Sequence, residues 1–170
     1  MAINTLPAQV SDNWIQIATT TPTSGSVVSF TSISADWRKL WISTTRSITL
    51  TAANVMGVTT NSISAADSYK YTGTQGVDAS KYFSTSSIES VGTGSTTNNN
   101  INYFFTNVNA FTPICLYTGY GNSSTANAPR AIEFGYVIGL TTAITRLDIT
   151  AIGTTYAAGN TGAFTLYGTY

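Results

Sequence analysis

Apolar and polar residues alternate along much of this chain with the period of a β-strand. Residues 47–52 do so without a break, turning Ile48, Leu50 and Ala52 to one side. Residues 14–18 place Ile15 and Ile17 together, and residues 38–43 place Leu40 and Ile42 on one face with Lys39 and Trp41 on the other. Further strand-like runs follow at 27–33, 81–90, 101–108, 111–117, 132–140, 144–151 and 162–168. In the last of these Phe164 and Leu166 point one way, Thr165 and Tyr167 the other. Turn chemistry separates the runs, with Pro22 and Gly25, Gly119 to Asn122, Ala128-Pro129 and Gly153 to Asn160 as breakers. Residues 54–80 read as a long loop holding a short strand at 69–72, and residues 91–100 as a second loop. No helical stripe lasts three turns, and no internal repeat marks a solenoid or propeller.

About ten short strands in one chain predict an all-β fold, a two-sheet antiparallel sandwich that is jelly-roll-like. Residues 14–170 are expected to form one β-sandwich domain, preceded by an N-terminal arm at 1–13. The expected core comprises Ile15, Ile17, Leu40, Ile42, Ile48, Leu50, Phe134, Ile138, Leu147, Ile149, Phe164 and Leu166.

Composition sharpens this. Charged residues make up only 8% of the 170 residues, seven bases against seven acids, so the net charge is zero. A typical soluble domain carries about 25%. The polar surface must come from 31 Thr, 19 Ser and 13 Asn, of which Thr suits a pleated strand and Ser and Asn suit turns. Twenty aromatic residues are too many for a chain unable to build a core. Weak net charge removes a force that keeps molecules apart, which suits close packing against neighbours; Thr-rich β surfaces also occur without that purpose. No basic run exceeds Arg38-Lys39, so nucleic acid is not an expected partner. No stretch approaches the ~18 apolar residues of a membrane span, and the first residues do not read as a signal peptide. The lone Cys115 reads as a buried, inert thiol.

Catalytic chemistry finds few carriers. There is no His, which removes imidazole-activated nucleophiles and most zinc sites. No phosphate-cradling glycine motif is present. Seven carboxylates remain, of which Glu133 and Asp148 lie in strands and could meet across a sheet as an acid pair. The competing reading gives each a nearby base, Arg130 or Arg146. A calcium site at Asp67 and Asp78 lacks the usual Asp-x-Asp spacing. The sequence thus predicts no enzyme, no catalytic or metal-binding residues and no cofactor.

Residues 143–149 (Ala-Ile-Thr-Arg-Leu-Asp-Ile), then Tyr156-Ala157-Ala158-Gly159, then Phe164-Thr165-Leu166-Tyr167-Gly168, resemble the C-terminal signature of a family of tailed-phage virion structural proteins, I-T-x-I-x-I … F-x-x-G-S-x-x-x-L-Y-G. Phe30 to Ile33 followed by Trp37 to Ile42 resembles that family's F-x-x-I … Y-K-x-L-x-I segment. Tyr156 stands where Phe is usual and Asn160 where Ser is usual. The resemblance spans about residues 30–168 and implies a jelly-roll-like particle protein. Residues 144–149 and 164–166 read as paired strands joined by a turn in which Gly159 takes a positive φ.

Two roles follow as expectations. One is a capsid decoration or cement protein on the virion surface, made in the host cytoplasm. It would bind copies of itself, with a homotrimer the natural guess, and the major capsid protein or other virion proteins. The other is a tail or fibre adhesin that binds a host glycan. Trp41, Tyr69, Tyr71, Tyr117 and Tyr120 are the interface candidates, with Tyr82 a further outward ring; Tyr and Trp are enriched at protein interfaces in any case. Trp41 is the leading anchor, its alternative being a second buried face of its strand.

Overall fold

A computed structural model describes residues 13–75, 78–89, 99–106, 108, 116–122 and 130–170; for residues 75, 78–81, 116–122 and 130 it describes the backbone alone. Among the described residues there is no helix. The described residues form twelve strands in two antiparallel sheets: β1 (Ile15–Thr20), β2 (Val27–Phe30), β3 (Lys39–Thr44), β4 (Met56–Thr60), β5 (Tyr69–Gln75), β6 (Asp78–Thr85), β7 (Ile88–Glu89), β8 (Asn100–Thr106), β9 (Leu116–Asn122), β10 (Arg130–Val137), β11 (Leu147–Ala151) and β12 (Phe164–Thr169).

The large sheet has the order β1-β12-β3-β8-β9-β10-β5-β6, and the small one β2-β11-β4-β7. Setting aside the hairpins β5–β6 and β9–β10 leaves eight strands. In these the first pairs with the last, the second with the second-last, the third with the third-last and the two middle ones together. That is one long antiparallel hairpin rolled into two facing sheets, a jelly roll. Both extra hairpins join the large sheet beyond β8, giving it a wing of four further strands.

The core lies between the sheets. Leu40, Ile42, Tyr103, Phe105, Phe164 and Leu166 face inward from the large sheet, while Val28, Phe30, Met56, Val58, Leu147 and Ile149 come from the small one, in a single buried cluster. Burying each such side chain contributes on the order of 1.5–3 kcal/mol. Tyr156, buried beside Phe164 at 5.8 Å, donates its hydroxyl to the carbonyl of Ile149 at 2.8 Å, and burial pushes its phenol well above the ordinary range. Gly168 allows the close approach of strand and indole: a Cβ there would stand 2.6 Å from the ring of Trp37.

Several expectations need correction. Residues 47–52 alternate without being a strand; Ile48 and Leu50 are buried through isolated bridges to Asn99 and Tyr156, and Ala52 is exposed. Residues 54–80 are not a loop, since they hold β4, β5 and the start of β6. Gly119 to Asn122 lie inside β9. The strands β11 and β12 are not partners: they belong to different sheets, with Gly159 at φ 75° in the crossing between them. Three expected core residues are exposed, Ile15 at 47%, Phe134 at 47% and Ile138 at 45%. Ile15 leads an edge strand with a register shift between Gln16 and Ala18, Phe134 follows a register shift in β10, and Ile138 lies past that strand's end. Each shift or strand end breaks the parity that alternation assumes. Cys115 and the arm residues 1–12 lie outside the described residues.

Candidate functional site

Three adjacent strands of the large sheet carry a large ring at the same level. Trp41 on β3 is paired with Tyr167 on β12 and with Phe104 on β8. Its chain neighbours Leu40 and Ile42 are fully buried, so alternation turns Trp41, and its partners with it, to the sheet's outer face. Neighbouring strands lie ~4.7–4.9 Å apart, and the rings keep that spacing. The centroids of Trp41 and Tyr167 are 4.7 Å apart with planes 23° from parallel, and those of Trp41 and Phe104 are 5.3 Å apart at 15°. The rings stand on the sheet like books on a shelf, each covering a face of the next. Trp14, just before β1, sets its ring edge-on to Trp41 at 5.8 Å and to Phe104 at 6.0 Å. The indole N–H of Trp41 donates to the side-chain carbonyl of Asn102. All four rings end half-buried on a face with no facing sheet among the described residues. Each aromatic pair contributes about 0.5–1.5 kcal/mol beyond its buried area, so the rings of this ridge hold one another in place.

The wing differs. Phe134, Thr72 and Tyr82 share one outer level across β10, β5 and β6, and Tyr136, Lys70 and Ser84 share the next. Thr72 separates the two rings, leaving Phe134 exposed and Tyr82 62% exposed. Lys70 lies 6.0 Å from the Tyr82 ring centre and donates to Ser84 at 2.5 Å; the Ser84 hydroxyl donates in turn to Asp67, which is 3.7 Å from Lys70. The Ser84 hydroxyl first, and the Lys70 charge second, hold the Asp67 carboxyl below its usual range.

The expected candidates separate by strand parity. Trp41 is on the outer face, as its alternation implies. Tyr69 and Tyr71 are buried, at 0% and 1% exposure, and point inward; the short strand expected at 69–72 put both on one face, and its polar neighbours gave no sign that this face is the inner one. The Tyr69 hydroxyl accepts from the Thr60 N–H at 2.8 Å and donates to the Ile63 carbonyl at 2.9 Å. The side chains of Tyr117 and Tyr120 lie outside the described residues; in register Tyr117 pairs with Phe105 and Gly135, Tyr120 with Asn102 and Ala131. Trp14, Phe104 and Tyr167 are ridge members that sequence reasoning missed as a group. Tyr167 alternates visibly with Leu166, but only strand register brings positions 41, 104 and 167 together.

The carboxylates do not form an acid pair. Glu133 is exposed on β10 of the large sheet and Asp148 sits on β11 of the small one. The Asp148 carboxylate accepts from Arg146 Nε at 2.8 and 2.9 Å, from Ser29 at 2.6 Å and from Ser62 at 3.4 Å. These bonds tie β2, β11 and the turn after β4 together, so Asp148 is engaged in holding the small sheet. Among the described residues no three Cys, Asp or Glu side chains come together as a metal site. No family model, curated protein or solved structure matches this chain.

Proposed function

We propose that this protein is a structural component of a tailed-phage particle, acting as a capsid decoration or cement protein whose aromatic ridge packs against a coat protein or another virion protein. The observation that carries this reading is the ridge: Trp14, Trp41, Phe104 and Tyr167 are packed together on the outer face of the large sheet. Trp and Tyr lead the residues that anchor protein interfaces. Rings already held by one another lose little side-chain freedom on docking, which otherwise costs about 0.5–1.5 kcal/mol each. On the same face Ser43, Asn102 and Thr106 add little desolvation, while Lys39, two residues from Trp41, brings a charge to the ridge's rim. Of the segments that carry the family resemblance, residues 37–42, 143–149 and 164–168 contribute to β3, β11 and β12, inner strands of the two sheets, while residues 30–33 start at the last residue of β2 and residues 156–159 lie in the crossing between β11 and β12.

The second reading, a host-glycan adhesin, draws on the wing. A sugar ring stacks on an open aromatic face. Trp41 has neighbours on both faces, whereas Tyr82 is well exposed. The test adds purified protein to expanded capsids that lack it. Saturable binding, a higher capsid disruption temperature and loss of both with Trp41→Ala support the ridge reading. Absence of binding and of stabilisation overturns it. Retention on a glycan array that Tyr82→Ala abolishes and Trp41→Ala leaves intact transfers the function to the wing.

A further inference from the structure

The ends of the two sheets differ in charge. β1 and β2 close the large and small sheets at corresponding positions, and the chain carries no charged residue between Asp12 and Asp36, a stretch that contains both strands. The opposite end strands carry Asp78 and Lys81 on β6 and Glu89 on β7. Natural edge strands are commonly blunted by charges, especially lysine, and by proline, because a row of unpaired N–H and C=O groups accepts any extended chain. Within β1 there is neither charge nor proline, and among the described residues β1 pairs with β12 alone. The two ends of β1 are exposed: Ile15 and Gln16 at one, Thr19 and Thr20 at the other.

We propose that β1 is a self-association edge and that its partner is β1 of a second copy of this chain, antiparallel across a twofold axis. Three observations choose this partner. The edge offers hydrogen-bonding groups that any antiparallel strand satisfies. A twofold contact brings a surface against itself, so like charges would oppose one another there, and β1 has none. Exposed Ile15 would be covered by the strand that pairs with it. Joining two such edges makes one continuous sheet, with the aromatic ridges of both copies on sheet faces that it connects. A threefold assembly instead needs β1 to meet a different surface, such as the charged β6 edge. The inference is independent of the phage reading, because it concerns only how two copies meet.

The experiment measures the mass of the full-length protein in solution by sedimentation and light scattering across a concentration series. Twice the 18.0 kDa chain mass is expected. With the centre of β1 on the axis, position 15 of one copy faces position 20 of the other. The double variant Ile15→Lys/Thr20→Lys therefore opposes like charges twice, and its dimer dissociation constant should rise about tenfold or more. Ile15→Lys/Thr20→Glu opposes unlike charges twice and should return the constant to within about threefold of the parent. Both variants alter exposed side chains, and thermal melts of the monomers confirm that each folds. A monomeric or trimeric parent, or a dimer equally strong in all three proteins, overturns the proposal.

Discussion

The two faces of the large sheet carry rings of the same kinds with opposite fates. Tyr69, Tyr71, Tyr103 and Phe105 point inward and are fully buried, whereas Trp41, Phe104 and Tyr167 point outward and are half-buried, and Phe134 and Tyr82 are exposed. Strand parity makes the first division. Register makes the second: three rings in one level cover each other, whereas two rings separated by Thr72 do not. Exposure of an outward ring is therefore a property of its cross-strand neighbours more than of its own strand.

The inner face is the place to break this comparison first. Tyr71→Ala removes a buried ring that also stacks on Phe83 at 4.9 Å, and should cost about 3–5 kcal/mol in urea denaturation. A loss near 1 kcal/mol would show the wing's inner face to be loosely packed. Trp41→Ala removes two stacked neighbours and one edge contact from a half-buried site. At ~0.5–1.5 kcal/mol for each pair, it should cost about 2 kcal/mol in the monomer, and more in capsid binding. A Trp41/Phe104 double-mutant cycle should return a coupling of about 0.5–1.5 kcal/mol; zero coupling would mean that the rings are adjacent without supporting each other.

Alkali probes the buried phenol of Tyr156. Its raised ionisation keeps the folded form neutral, so its contribution is whole below about pH 10, where the unfolded phenol ionises, and is lost as pH rises from there. Stability above pH 10 should fall by up to ~1.4 kcal/mol per pH unit through this group, and Tyr156→Phe should flatten that fall by the same amount. The smallest effect belongs to the wing's outer face: Tyr82→Ala should change stability by less than about 0.5 kcal/mol, and a larger loss would make the wing ring part of the fold.

The sequence made the fold class legible because period-two alternation and turn residues are local signals. Leu40, Ile42, Phe164 and Leu166 were placed correctly, as was the outward turn of Trp41. What failed was whatever depended on partners. Ile48 and Leu50 are buried by single bridges without a strand, and Tyr69 and Tyr71 looked outward because the polar surroundings of the short strand expected at 69–72 hid which of its faces is inner. Pairing β11 with β12 followed their nearness in the chain, whereas the rolled hairpin gives each to a different sheet. The ridge was half visible, in the alternation of Tyr167 and of Trp41. Its assembly from positions 14, 41, 104 and 167 depends on register, which no local pattern encodes.

The place of β12 has a consequence for how the molecule is made. Among the described strands β12 comes last in the chain yet lies between β1 and β3, so β1 and one edge of β3 wait for it while everything between is produced. Until it emerges, β1 has no sheet partner among the described strands and one edge of β3 is open. Such late closure of distant segments slows folding and prolongs exposure of sticky intermediates. Translation speed through β11 and β12 should therefore govern yield of soluble protein more strongly than equal changes near the wing hairpins.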